Sequence, residues 1–193
     1  MNRPASKEAP WMVLIGPAGA GKTTLGREIA ERAQRQFVDL DAAAGEYYAQ
    51  VGWSIARLRE RIAAVGRLAA ETEWEDARAH AVARVVADHP DTVIALGAGH
   101  TSYTDPVHLA EVRTVLSRCR HVVRVLPSPD REISLALLRH RCTATKGQSW
   151  IIDGHDFLGQ WLDDPGARQM ATRTIYTNDE APAQTAARLI RYG

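Results

Sequence analysis

Gly16-Pro17-Ala18-Gly19-Ala20-Gly21-Lys22-Thr23 stands between an apolar run, Trp11 to Ile15, and an amphipathic stretch, Lys22 to Gln34. These eight residues satisfy G-x-x-x-x-G-K-[ST] in full, in the strand-then-helix setting that gives the pattern its meaning. The glycines let successive backbone N–H groups turn inward around phosphate oxygens, and the helix start near Lys22 adds the positive end of its dipole. Lys22 is placed to reach the β and γ phosphates of a nucleotide, and Thr23 to offer a hydroxyl to Mg²⁺. Lysine occurs only at 7, 22 and 146, against twenty-one arginines, so a lysine at this position is a selected choice. The expected nucleotide contacts are Gly16, Gly19, Ala20, Gly21, Lys22, Thr23 and Thr24, with ATP and Mg²⁺ as ligands.

Outward from the loop, Leu25, Ile29 and Ala33 share one helical face, and Phe37 to Leu40 reads as a second short strand. Ala42 to Asp88 is predominantly helical, with breaks near Gly52 and Gly66. Val93 to Leu96 is a third strand that ends at Gly97-Ala98-Gly99, and His121 to Leu126 a fourth. Beyond Pro127 and Pro129, Asp130 to Arg141 resumes helical spacing. Cys142 to Gly159 loses it, and residues 143–159 are expected to form a lid over the site. Arg173 to Thr177 gives a fifth strand and Ala181 to Arg191 a closing helix. Strands alternating with helices imply one α/β domain over residues 1–193, a P-loop NTPase three-layer sandwich. It has a five-stranded, mainly parallel sheet with helices on both faces, a lid segment, and a flexible tail over residues 1–10.

The remaining composition narrows the partners. A chain of 193 residues encloses a core without disulfides or a structural metal. Its 24 basic and 23 acidic residues leave a formal net charge of +1, no field that would hold a nucleic-acid backbone or an anionic membrane. The N-terminus has no secretory apolar region, and no later stretch approaches the roughly 20 apolar residues of a membrane span. Cys119 and Cys142, and the seven histidines, show no zinc spacing. The expectation is a cytoplasmic protein whose partners are a nucleotide and a small-molecule acceptor; oligomeric state leaves no signal. No apolar run ending in Asp provides a standard second carboxylate for Mg²⁺, so Asp39 has to take that place. Ile151-Ile152-Asp153 imitates such a run but falls in the lid.

From Trp11 to Asp41 the chain resembles shikimate kinase, in its P-loop, first helix and short strand leading to a D-x-D pair, here Asp39-Leu40-Asp41. Gly97-Ala98-Gly99 is similar to the G-G-G turn that follows the third strand in that family. The resemblance implies ATP-dependent transfer of phosphate to a hydroxyl of a small molecule. It implies that Asp39 helps Thr23 hold Mg²⁺, that Asp41 approaches the acceptor hydroxyl, and that a lid arginine closes over the γ phosphate. Arg139 is the first choice for that arginine, ahead of Arg141 and Lys146, so the catalytic set is Lys22, Asp41 and Arg139. The chemistry agrees independently for the aspartates: a carboxylate at the end of a strand beside the P-loop can reach Mg²⁺ or orient a nucleophile.

The chain also departs from the family. Shikimate kinases hold the shikimate carboxylate with an arginine on the helix before the third strand and another before the last strand. Counting back from Gly97 puts Asp76 near the first, with Arg78 close by, and the second region reads Asp163-Asp164-Pro165. Acidic residues there would repel a carboxylate, so the expected acceptor is not shikimate itself. Asp41, Tyr48, Gly97, Ala98, Gly99 and His100 are its expected contacts, with Tyr47 and Tyr103 nearby; hydroxyl and ring groups of this kind suit a neutral polyol. Two other readings stay open: a nucleoside or nucleotide kinase, and a non-catalytic ATP-binding regulatory module.

Overall fold

The structure, a computed structural model, describes residues 9–178 and 180–191; most of the tail expected over residues 1–10 lies outside them. The chain begins with β1 (Met12–Ile15), α1 (Lys22–Arg32), β2 (Phe37–Asp39) and α2 (Leu40–Gln50). Next come α3 (Ile55–Val65), α4 (Arg67–Glu73), α5 (Glu75–Asp88) and β3 (Val93–Ala95). A single 3₁₀ turn, Ala98–Thr101, leads to α6 (Pro106–Leu116), β4 (His121–Leu126) and α7 (Arg131–Lys146). The last third holds β5 (Ile151–Ile152), β6 (His155–Asp156), α8 (Phe157–Asp163), α9 (Pro165–Met170), β7 (Arg173–Tyr176) and α10 (Pro182–Arg191).

Five strands form one sheet in the order β2-β3-β1-β4-β7, and all four pairings are parallel. Strand alternation divides the core into two halves. Val13, Ile15, Ile94 and Val122 face a layer built from α2 to α6 and α9, where Tyr47, Tyr48, Leu58, Val82 and Leu116 pack. Met12, Leu14, Val93, Val123 and Val125 face the opposite layer, with Leu25 and Ile29 of α1, Leu138 of α7, Trp161 of α8 and Leu189 of α10. This is the three-layer sandwich expected of the alternating pattern. β1 sits at the centre, flanked by β3 and β4, so the loop after Ile15 emerges over the carboxyl ends of the sheet, where open α/β sheets bind ligands.

Gly52 (φ 74°) and Gly66 (φ 83°) break the helical middle as read, and a further break at Trp74 separates α4 from α5. The helix read as ending at Arg141 runs to Lys146, because Cys142 is fully buried and continues the apolar stripe of Leu135 and Leu138. The rest of the aperiodic stretch is not structureless. Ile151–Ile152 pairs antiparallel with His155–Asp156 around Asp153 and Gly154, both at positive φ as a tight Asp-Gly hairpin demands, and α8 begins at Phe157. Among the described residues, no helix is long and apolar enough to cross a membrane.

Candidate active site

The loop after β1 is shaped by its glycines. Gly16, Gly19 and Gly21 have φ of 133°, 77° and 92°, and a Cβ at 16 would lie 2.5 Å from the Val125 carbonyl oxygen. Gly21 caps α1 with no side chain in the way, so the first N–H groups of the helix face the loop. Lys22, largely buried, donates from Nζ to the carbonyl oxygens of Gly16 (2.7 Å) and Pro17 (2.9 Å), which holds the ammonium across the loop mouth. Thr23 Oγ1 donates to Asp39 Oδ2 at 3.0 Å, and Asp39 Oδ1 accepts from the backbone N–H of Asp41 at 3.1 Å. Asp39 thus caps α2 and faces Thr23 at once.

Among the described residues no group of three or more His, Cys, Asp and Glu side chains could hold a metal. The Thr23 hydroxyl and Asp39 carboxylate are hard oxygen donors side by side, and that pair suits Mg²⁺, which keeps several waters and takes phosphate oxygens rather than a full protein cage.

These groups open onto a cavity of about 720 Å³, of the size that holds small-molecule ligands. One end is formed by Ala18 to Leu25, by Arg141 and Thr145 of α7, and by Thr177, Asn178, Glu180, Pro182 and Thr185 around the start of α10. The other is lined by Asp41, Arg67, Glu71, Trp74, Arg78, Ala98, Gly99, His100, Trp150 and Trp161. The loop and helix N-terminus of the first end suit the phosphates of a nucleotide, so it is called the nucleotide side; the second, under the turn after β3, is where the sequence puts the expected acceptor contacts and is called the acceptor side.

On the acceptor side the turn after β3 is crowded. A Cβ on Gly97 would lie 2.0 Å from Asp41 Oδ1, and one on Gly99 would lie 2.6 Å from a terminal nitrogen of Arg78. Arg78, 4% exposed, donates one terminal nitrogen to the carbonyls of Gly99 and Ser102 (3.2 Å to the latter) and the other to Glu71 O (3.1 Å). Glu71 and Glu75 carboxylates stand 3.8 Å from the same guanidinium, and the rings of Trp74 and Tyr103 lie 5.7 and 5.3 Å from it. Arg67 pairs with Glu71 and lies over Trp150 and Phe157, each 5.8 Å away. Glu75 accepts from Thr104 N, Thr104 Oγ1 and Asp105 N, which ties α5 to the segment after the turn.

The expected residues are not all in the cavity. Lys22, Thr23, Thr24, Asp39, Asp41, Ala98, Gly99 and His100 line it, while Tyr48 and Gly97 stand behind it. Tyr48 Oη lies 2.9 Å from His100 Nε2, and burial with the Asp41 charge raises its pKa, so it stays a neutral phenol. Burial, reinforced by Arg78 and Lys22 and opposed by Asp41 and the Gly97 carbonyl, pushes His100 down to about 4. Arg139 does not line the cavity: its guanidinium is exposed and bound to Asp156 at 2.7 Å. Two residues on a helix point about 200° apart, and it is Arg141 that faces the loop, donating to Gly19 O at 3.4 Å. The side chain of Lys146 lies outside the described residues. Asp163 and Asp164 also face elsewhere, the first paired with Arg131 (2.7 Å) and the second capping α9. Sequence reasoning passed over Arg67, Glu71, Trp74, Trp150 and Trp161; the i, i+4 spacing of Arg67 and Glu71 is the one local signal among them, and it marks an ion pair rather than a site.

The sequence matches the shikimate kinase family over residues 18–192. A shikimate kinase of Stenotrophomonas maltophilia is 29% identical over 188 residues, covering 94% of this chain and 91% of its own length. A shorter match to the enzyme of Xanthomonas axonopodis pv. citri, 49% over 53 residues, covers 28% of each. Among solved structures, shikimate kinase from Acinetobacter baumannii in complex with shikimate superposes with a TM-score of 0.64 at 25% identity, over 95% of this chain and 92% of that one. The chain therefore belongs to the shikimate kinase family, and it is a small-molecule kinase that transfers phosphate from ATP, with Mg²⁺, to a hydroxyl.

Proposed function

We propose that the acceptor is an uncharged polyhydroxylated ring rather than shikimate, and that Asp41 orients its hydroxyl toward the nucleotide. The observation that carries this reading is the state of Arg78. Clamping a carboxylate takes two N–H groups on one edge of a guanidinium; one terminal nitrogen of Arg78 already donates to two backbone carbonyls and the other to a third, only Nε is left without a partner, and the Glu71 and Glu75 carboxylates already stand 3.8 Å from the group. Arg67 is likewise paired with Glu71, so arginines 67 and 78 are balanced by Glu71 and Glu75. A carboxylate entering there would displace an existing ion pair to gain an equivalent one. A neutral ring needs no such exchange, and Trp74, Trp150 and Trp161 give it apolar faces to lie against.

In this reading the loop amides and Lys22 neutralise charge that builds on the transferring phosphoryl group, worth most where it is positioned in advance. Thr23 and Asp39 would hold Mg²⁺, Asp41 would align the acceptor oxygen, and Arg141 would approach the phosphates from α7 in place of Arg139. A cytoplasmic location, where ATP is supplied and thiols stay reduced, fits the two cysteines, neither of them in a disulfide. A second reading, a carboxylate-bearing acceptor, has one observation behind it, the Acinetobacter baumannii relative solved with shikimate. Production of ADP from Mg²⁺-ATP against shikimate, myo-inositol, streptamine and adenosine, with Lys22→Ala as blank, separates them. Stimulation by myo-inositol and not by shikimate supports the proposal; shikimate or the dicationic streptamine as the strongest acceptor refutes it, and adenosine as the strongest makes this a nucleoside kinase.

A further inference from the structure

His100 stands on the turn that borders the acceptor side, yet it is only 3% exposed. Its ring lies parallel to Tyr48, the planes 6° apart, with the phenol oxygen 2.9 Å from Nε2. That contact is the hydrogen bond the Tyr48 hydroxyl makes, and a buried phenol that accepted it would leave its own proton without a partner. A donating Tyr48 leaves the ring proton on Nδ1. Nδ1 is buried, makes no hydrogen bond of ordinary geometry although the Gly97 carbonyl acts on the ring, and looks onto the space above Gly97. A Cβ there would sit 2.6 Å from it and 2.0 Å from Asp41 Oδ1, so the two atoms can be no farther apart than the sum of these distances. Only a residue without a side chain leaves that gap open. The titratable and charged groups facing the ring are Asp41 and Tyr48 from α2, Arg78 from α5 and Lys22 from α1.

We propose that His100 is a positioning residue for phosphoryl transfer: its Nδ1–H directs the Asp41 carboxylate toward the acceptor hydroxyl, and Tyr48 fixes the tautomer that makes this possible. The imidazole exchanges no proton itself. The inference rests on the reading of Asp41 given above, and the test keeps the two apart. Protein labelled with ¹⁵N-histidine, saturated with Mg²⁺-ADP, should show one neutral Nδ1–H ring from pH 6 to 8, assigned by its loss in His100→Gln. An Nε2–H or charged ring overturns the proposal whether or not an acceptor has been found.

Kinetics with the best acceptor of the panel supply the second arm. Asn places its amide nitrogen where Nδ1 stands, whereas Gln reaches toward Tyr48 and leaves nothing facing Asp41. His100→Gln should lower kcat about 10-fold or more with KM for ATP unchanged, and His100→Asn should restore most of it. Equal losses in both variants, or the reverse order, mean a purely structural histidine and overturn the proposal. In an Asp41→Asn background His100→Gln should add no further loss, and an undiminished loss overturns it as well. Full turnover in Asp41→Asn removes the reading of Asp41 and this inference with it; loss in Asp41→Asn but none in His100→Gln removes this inference alone.

Discussion

Gly97→Ala tests the geometry of the acceptor side with a single methyl group. Gly97 has φ −65° and ψ 158°, a conformation open to any residue, so alanine brings no backbone strain. What it brings is a Cβ 2.0 Å from Asp41 Oδ1 and 2.6 Å from His100 Nδ1, where real Cβ contacts essentially never fall under 3.0 Å. Asp41, on the exposed first turn of α2, is the group free to yield, and it has to retreat by about 1 Å; a misplacement of that size near reacting atoms costs on the order of 10²-fold in rate. The overpacking itself should cost about 1–3 kcal/mol, which for a domain of this length lowers Tm by roughly 2–4 °C per kcal/mol. The expected result in steady-state assays is a kcat about 100-fold lower with KM for ATP within about 2-fold, because nothing in the loop has moved. Gly45→Ala is the control: it lies inside α2 with nothing near its added methyl, and should raise stability by about 0.5–1 kcal/mol without touching kcat. A Gly97→Ala enzyme with unchanged kcat would refute the claim that Asp41 is held against this turn to do its work.

Thr23→Val removes the hydroxyl beside Asp39 while keeping the shape, and should raise the Mg²⁺ concentration for half-maximal ADP production at least about 10-fold. Arg141→Ala should raise KM for ATP, whereas Arg139→Ala should leave kinetics alone and cost at most about 1 kcal/mol in urea denaturation, the worth of an exposed ion pair. His100 gives a pH signature: its ordinary pKa of 6.5 is pushed to about 4, so the unfolded state takes the proton first as pH falls. Stability held above pH 6.5 should then decline between about 6.5 and 4, by at most about 3 kcal/mol, and chemical denaturation of His100→Asn should show that much less loss over the same window.

The nucleotide side was legible because it is written locally. Gly16 to Thr23 is one contiguous turn whose backbone torsions, helix start and lysine reach follow from eight adjacent residues, and the strand on which it hangs shows as an apolar run. Strand His121–Leu126 was read with its boundaries intact for the same reason. Helix ends were harder: Arg131–Lys146 continues past Arg141 because Cys142 meets Leu138 and the P-loop, a tertiary contact with no local mark. That Arg141 and not Arg139 lines the cavity turns on the same point, since which face of α7 meets the loop depends on where the sheet places the helix.

The acceptor side resists sequence reading for a more general reason. A guanidinium is visible in a sequence, but whether it is spent is not. Arg78 looked like a spare cation near the position of a carboxylate ligand, and the acidic pair Asp163-Asp164 looked like the repulsive element. In the structure the aspartates are turned away, held by Arg131 and by the start of α9, and the charge that matters is Glu71, one turn of helix from Arg67 and two from Arg78. Glu71 stands four residues after Arg67 and seven before Arg78 and meets both, and Gly99 has no side chain, so Arg78 can come down onto its carbonyl. On the proposed function, specificity on this side is set by how existing charges are already paired, so an acceptor is selected by what it does not need to displace.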